Sequence, residues 1–161
     1  MTKIIGISGW KNVGKTFYAS LIIKLLVERG YKVGSIKHAH HDFDIDKPGT
    51  DSFKHRDAGS SQVIISSSRR WAKITENNQH NEKSLEELIE EFDAVDIIIV
   101  EGFKKESHPK IEIFSKNSKN KNKEINNVIA IVSDDLIDTD TPVFKKDEIE
   151  TLVKFIIKKI L

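Results

Sequence analysis

Cysteine is absent from this chain of 161 residues. Its absence excludes disulfide bonds and thiolate metal sites, and it suits a protein that works in a reducing cytoplasm. Basic and acidic residues nearly cancel, with 26 Lys and Arg against 25 Asp and Glu and a formal net charge of +1. The chain therefore has no global field that would attract nucleic acid or an acidic membrane.

Long apolar segments are also missing. No apolar run approaches the roughly 18 residues that a membrane-spanning helix needs. The first residues lead directly into a predicted strand, without the pattern of a signal peptide. We therefore expect a soluble cytoplasmic protein whose partners include neither a membrane nor nucleic acid. The length is sufficient for one domain with a hydrophobic core, and we expect residues 1–161 to form a single domain.

A glycine-rich motif near the start of the chain is its most informative feature. Residues 9–16 read GWKNVGKT and fit the phosphate-binding pattern G-x-x-x-x-G-K-[ST]. The apolar run 3–8 is typical of a buried strand, and residues 17–29 have the apolar spacing of a helix that Gly30 would cap. This context of strand, loop and helix predicts a P-loop that binds a nucleoside triphosphate.

The motif also predicts individual roles. Its glycines let backbone N–H groups point at a phosphate, and the helix N-terminus adds partial positive charge. We expect Lys15 to reach the terminal phosphates in catalysis and the Thr16 hydroxyl to hold a magnesium ion. The competing interpretation is a glycine-rich turn with a surface lysine. The residues predicted to bind the nucleotide are Gly9, Lys11, Asn12, Val13, Gly14, Lys15, Thr16 and Phe17.

Predicted strands and helices alternate along the rest of the chain. This alternation predicts an α/β fold, a P-loop NTPase-like sandwich with a mainly parallel sheet flanked by helices. Residues 115–126 are polar and low in complexity, which predicts a mobile loop. Further strands are predicted over 31–37, 62–67, 70–75, 95–100, 110–114 and 127–132, and helices from the capping box 84–87 to about Phe92 and over 147–161.

An acidic residue follows the most apolar predicted strand. Glu101 comes directly after residues 95–100 and is followed by Gly102. In open α/β sheets, ligands bind at the carboxyl ends of strands, where both the P-loop and Glu101 are expected. We predict that Glu101 holds a magnesium-bound water and takes part in catalysis. The alternative is that it merely ends a strand beside a turn glycine.

Residues 38–59 form a segment too long for an ordinary connection, and we predict that it is functional. A zinc site is disfavoured, because its first histidines lack helical spacing and no cysteine is available. We predict instead a switch-like loop that brings Asp46 or Asp51 to the magnesium ion. The isolated His80 and His108 are predicted to lie at the surface.

Four segments of the sequence resemble, in the same order, the molybdopterin-guanine dinucleotide biosynthesis protein B (MobB) family. They are GWKNVGKT, SIKHAHHDFDIDKPGTDSFKHRDAG, RRWAKIT, and DIIIVEGFK with PKIEIF downstream, and the match covers most of residues 3–134. The resemblance implies a GTP-binding protein of the dethiobiotin-synthetase-like branch, typically a homodimer. It also implies assistance to the guanylyltransferase that joins GMP to molybdenum-bound molybdopterin. The family's loop lysine and threonine correspond to Lys15 and Thr16, and its strand-end acid corresponds to Glu101.

Some motifs of other P-loop proteins are missing. The sequence has no N-K-x-D motif, so the preference for guanine rests on the resemblance, with Ser133-Asp134 as a candidate contact. Position 10 is Trp, where partner-activated dimeric ATPases carry a signature lysine, which disfavours that role.

Arginine is also scarce, and none lies in the P-loop or beside Glu101. We therefore expect slow magnesium-dependent GTP hydrolysis, which a partner or a second subunit would accelerate. Three alternatives stay open: a small-molecule kinase, a dethiobiotin-synthetase-like ligase, and a nucleotide-gated adaptor without turnover.

Overall fold

The structure is a computed structural model that describes residues 2–39, 42–77, 81–117 and 125–161. The chain divides into two compact units, one formed by Met1–His38 with Ser84–Leu161 and the other by Ala39–Lys83. The elements are β1 (Lys3–Gly9), α1 (Lys15–Glu28), β2 (Val33–Lys37), α2 (Asp51–Asp57), β3 (Gln62–Ser66), β4 (Trp71–Thr75), α3 (Leu85–Glu90), β5 (Ile97–Glu101), β6 (Lys110–Ile113), β7 (Val128–Val132), β8 (Val143–Phe144) and α4 (Ile149–Ile160).

The first unit is built on a six-stranded sheet in the order β2-β5-β1-β6-β7-β8. All of its strand pairs are parallel. Strand β1 lies between β5 and β6, with Ile5 opposite Ile99 and Ile7 opposite Ile111. Parallel strands are normally covered on both faces, which explains why β1 and β5 read as continuous apolar runs. The predicted α/β class with a mainly parallel sheet is confirmed.

Helices cover both faces of this sheet. Helices α1 and α4 pack on one face, and α3 packs on the other. Helix α4 forms because its apolar residues recur at helical spacing and face the sheet, while its last turn carries Lys158 and Lys159. Each fully buried aliphatic side chain contributes about 1.5–3 kcal/mol. The completely buried helical residues are Ile22, Leu26, Leu152, Val153 and Ile156.

The second unit contains α2 and an antiparallel hairpin of β3 and β4. Val63 pairs with Ile74 in the hairpin and is buried, so the predicted pairing of these strands is confirmed. Helix α2 begins after Thr50, whose hydroxyl accepts a hydrogen bond from the Phe53 N–H at 3.4 Å.

Two elements were not predicted. Helix α2 lies inside the expected 38–59 loop, and it buries none of its residues, so it leaves no apolar periodicity. Strand β8 has only two residues. Residues 118–124 of the predicted mobile loop, and also His40, His41 and His80, lie outside the described residues. No helix in the described part of the chain is long and apolar enough to cross a bilayer.

Candidate functional site

The loop between β1 and α1 has the backbone that its glycines require. Gly9, Asn12 and Gly14 all have positive φ angles, of 148°, 67° and 90°. A Cβ atom at Gly9 would lie only 2.5 Å from the Ile113 carbonyl oxygen, so no larger residue fits this approach to β6. Gly14 is the N-cap residue of α1, and the loop therefore ends at a helix N-terminus.

Lys15 folds back over this loop. Its Nζ donates a hydrogen bond to the Trp10 carbonyl oxygen at 3.0 Å. Burial lowers the pKa of Lys15, the Glu101 carboxylate opposes that shift, and the positive charge of Lys37 adds to it. The Lys15 ammonium thus contacts the loop and is stabilised by the charge of Glu101, and its contact with phosphate stays a prediction.

Thr16 and Glu101 meet at the carboxyl edge of the sheet. The Thr16 hydroxyl donates to Glu101 Oε1 at 2.8 Å, although the two residues lie 85 positions apart. The Glu101 side chain is only 13% exposed. Its backbone carbonyl accepts a hydrogen bond from the His38 N–H at 2.9 Å, which ties the ends of β5 and β2 together.

Gly102 makes this connection possible. It has a φ of 111°, and a Cβ there would lie 2.7 Å from Cβ of His38. Its N–H lies 3.4 Å from the Ile7 carbonyl oxygen, so the turn also contacts β1. The His38 ring stacks on Phe103 with centroids 4.6 Å apart. The backbone around Glu101 is therefore fixed from both neighbouring strands.

Lys37 is a site residue that the sequence analysis missed. Its Nζ lies 3.2 Å from Thr16 Oγ1 and 3.4 Å from Glu101 Oε1. Lys37 and Glu101 are the last residues of β2 and β5, and they are paired in register. The adjacency of the two predicted strands was the missing information, because the carboxyl ends of neighbouring parallel strands lie at the same edge.

The oxygens of Thr16 and Glu101 fit a magnesium ion. Magnesium is commonly bound through one or two protein oxygens, with phosphate oxygens and waters completing its shell. A hydroxyl and a carboxylate within 2.8 Å of each other, beside a phosphate-binding loop, supply such a donor set. Among the described residues, no group of three or more His, Asp or Glu could hold a metal by itself.

The other predicted nucleotide-binding residues have different settings. Lys11 and Asn12 are exposed, and the partly buried Val13 packs against the core. Phe17 is 65% exposed and contacts Tyr18 edge-on, with centroids 5.3 Å apart. Their contact with nucleotide stays a prediction.

Asp46 and Asp51 belong to the second unit. Arg56 donates to Asp46 at 2.8 Å and to Asp44 at 2.7 Å, and hydrogen bonding to Arg56 lowers the pKa of Asp46. Asp51 is the first residue of α2 and forms an exposed ion pair with Lys54 at 3.3 Å. The structure thus gives Asp46 a cationic partner within its own unit, and the predicted metal role of both aspartates stays a prediction.

His108 is partly buried, although the sequence predicted a surface position. Both ring nitrogens are buried without a hydrogen-bond partner among the described residues. Burial lowers the pKa of His108 to about 4, and the neighbouring Lys110 adds to this shift while Glu86 opposes it. The ring lies over β1, where a Cβ at Gly6 would be 2.6 Å from Nε2. A lone histidine carries no apolar periodicity that would have indicated this burial.

Lys110 is a second buried group in this region. It is completely buried, and its Nζ donates to the backbone carbonyl oxygens of Glu106, His108 (2.9 Å) and Asn126 (3.2 Å). Three acceptors match the three donors of an ammonium group. This lysine therefore fastens the loop that follows Glu101 to the start of β6.

The fold and this loop define the class of the protein. A glycine-rich loop ending in Lys-Thr, placed between the central strand of a parallel sheet and a helix, is that of the P-loop NTPase-like α/β proteins. Residues 4–134 match the family described as MobB, molybdopterin guanine dinucleotide synthesis protein B. The chain belongs to this family.

Individual relatives agree with this assignment. The chain is 36% identical to the molybdopterin-guanine dinucleotide biosynthesis adapter protein of Escherichia coli K12, over 98% of this chain and 93% of the relative. It is 35% identical to the adapter protein of the same name from Haemophilus influenzae, over 95% of this chain and 86% of that relative. The crystal structure of Bacillus subtilis MobB superposes with a TM-score of 0.82 at 24% identity, covering 99% and 98% of the two chains. That last similarity supports the fold alone.

Proposed function

We propose that this protein is a GTP-binding accessory protein of molybdenum cofactor maturation that assists the attachment of GMP to molybdopterin. Family membership supports a role in this pathway, since the relatives from E. coli and H. influenzae are named adapter proteins of molybdopterin-guanine dinucleotide biosynthesis. The 2.8 Å contact between Thr16 and Glu101, beside Lys15, supports nucleotide binding most directly. The guanylyltransferase and molybdopterin are the proposed partners, and the cytoplasm is the proposed location.

The site residues divide the work of holding a magnesium–GTP complex. The backbone of Gly9 and residues 11–14 and the Lys15 ammonium would bind the phosphates, and Phe17 is a further proposed nucleotide contact. Thr16 and Glu101 hold the ion, with Asp46 or Asp51 as a further acid that the 38–59 segment would bring to it. When bound, magnesium neutralises charge that develops on the transferred phosphoryl group.

Hydrolysis by the isolated protein is proposed to be slow. An arginine supplied in place or by a partner is worth roughly 10³–10⁵ in the rate of phosphoryl transfer. Arg56, the arginine closest in sequence to the P-loop after Arg29, is already paired with Asp44, Asp46 and Glu76. The guanylyltransferase or the second subunit of a homodimer is therefore proposed to raise the rate.

Calorimetric titration tests the nucleotide assignment. GTP with magnesium should bind the native protein more tightly than ATP, and Lys15→Ala should abolish binding without lowering the melting temperature. Lys24→Ala is the matched control, because Lys24 lies on the same helix, is exposed and pairs only with Glu28 at 3.7 Å among the described contacts. Unchanged GTP affinity in folded Lys15→Ala would remove the P-loop from the proposal.

Product analysis distinguishes the accessory role from a free-standing enzyme. We expect GTP turnover far below the roughly 10 per second that is typical of enzymes, and an increase when the guanylyltransferase is added. Rapid turnover by the protein alone would instead favour the kinase or ligase alternative. Release of ADP that depends on an added small organic substrate would also favour the kinase or ligase alternative.

A further inference from the structure

Lys37 contacts the two oxygens that fit a magnesium ion. Its ammonium lies 3.2 Å from Thr16 Oγ1 and 3.4 Å from Glu101 Oε1, and these two oxygens are themselves 2.8 Å apart. One cation therefore contacts both members of the donor pair. A divalent ion bound to the same two oxygens would lie within a few ångströms of the ammonium, where two positive charges repel each other strongly.

The position of Lys37 in the fold gives it freedom to leave this contact. Its backbone is fixed, because β2 pairs with β5 in register and Lys37 lies opposite Glu101. Its side chain is 61% exposed, whereas that of Glu101 is 13% exposed. The carboxylate is thus the fixed partner, and the long flexible lysine is the one that can move.

We propose that Lys37 is an exchangeable cation of this site, which holds Thr16 and Glu101 together until a divalent ion displaces its ammonium. The competition between Lys37 and a metal ion does not rest on the proposed nucleotide function.

Manganese binding to the protein alone tests the competition. Mn²⁺, which replaces Mg²⁺ at oxygen sites, is titrated into protein without nucleotide, and free Mn²⁺ is measured by electron paramagnetic resonance. Lys37→Met keeps the length of the side chain and removes its charge. We expect Lys37→Met to tighten Mn²⁺ binding by about two- to fivefold, which is the size of effect expected when an exposed ion pair is removed.

Two further variants show whether the measured ion lies at this pair of oxygens. Glu101→Gln should abolish Mn²⁺ binding both in the native protein and in the Lys37→Met variant. Lys24→Met makes the same change of charge on an exposed part of α1 and should leave the affinity unchanged. Equal Mn²⁺ affinities in the native protein and Lys37→Met would overturn the proposal, and so would the absence of a Mn²⁺ site that depends on Glu101.

A nucleotide experiment separates this proposal from the proposed function. The GTP affinity is measured with Mg²⁺ and again with a chelator, for the native protein and Lys37→Met. We expect the ratio of these affinities to rise in Lys37→Met by about two- to fivefold, because the ion no longer has to displace an ammonium from Thr16 and Glu101. Failure of the native protein to bind GTP contradicts the proposed function, whereas an unchanged ratio in proteins that do bind contradicts the role of Lys37.

Discussion

Acidification should destabilise the protein through His108. The folded protein favours the neutral ring, since burial lowers its pKa from 6.5 to about 4. The unfolded chain binds the proton with an ordinary pKa, so acid favours unfolding. The contribution of His108 to stability is therefore complete above about pH 6.5 and is lost as the pH falls towards about 4.

The size of the effect follows from the shift. At about 1.4 kcal/mol per pKa unit, the full shift corresponds to roughly 3 kcal/mol. Because the residue is only partly buried, solvent screening reduces this figure, and we expect His108 to account for about 1–2 kcal/mol between about pH 7.5 and 5. The free energy of unfolding is measured by urea denaturation at both pH values.

His108→Leu isolates this contribution from that of other groups. Leucine does not titrate and leaves no buried nitrogen unpaired. On acidification, the free energy of unfolding of the variant should therefore fall by about 1–2 kcal/mol less than that of the native protein. His55→Leu is the control, because His55 is exposed on α2. Parallel losses of stability in the native protein and His108→Leu would refute the reasoning.

Two substitutions in the candidate site have distinct expected outcomes. Glu101→Gln should lower magnesium-dependent GTP turnover more than GTP affinity, because it removes the charge near the ion and keeps the shape of the side chain. Steady-state kinetics measure the turnover, and calorimetry measures the affinity. Unchanged turnover would assign the metal to another acid, such as Asp46. Gly9→Ala should destabilise the protein by about 1–3 kcal/mol in urea denaturation, because its Cβ would collide with the Ile113 carbonyl at 2.5 Å. A variant as stable as the native protein would show that β6 can move away from the loop.

Local sequence patterns predicted the sheet and most of its helices. The capping box at Ser84 is present as predicted, with both of its hydrogen bonds formed. The P-loop was equally predictable, because glycines and Lys-Thr at a fixed spacing specify a backbone conformation within a few residues.

Features that depend on strand order were not predictable in the same way. The contact of Lys37 with Glu101 follows only once β2 is known to pair with β5. The packing of the His108 ring depends on Gly6 in a neighbouring strand. Helix α2 buries none of its residues, so no apolar pattern in the sequence indicates this helix. A single sequence records local preferences, whereas these contacts are set by tertiary packing.

The insertion of β5 between β1 and β2 has a consequence for biosynthesis of the protein. The ribosome synthesises the phosphate-binding loop first, and the acid that contacts Thr16 follows 85 residues later. Strands β1 and β2 do not pair with each other, and β5, the strand that pairs with both, follows only in the second half of the chain. A nascent chain that ends before Glu101 therefore presents a lysine-bearing loop without its carboxylate. The candidate site is completed by a late long-range pairing, of the kind that slows folding.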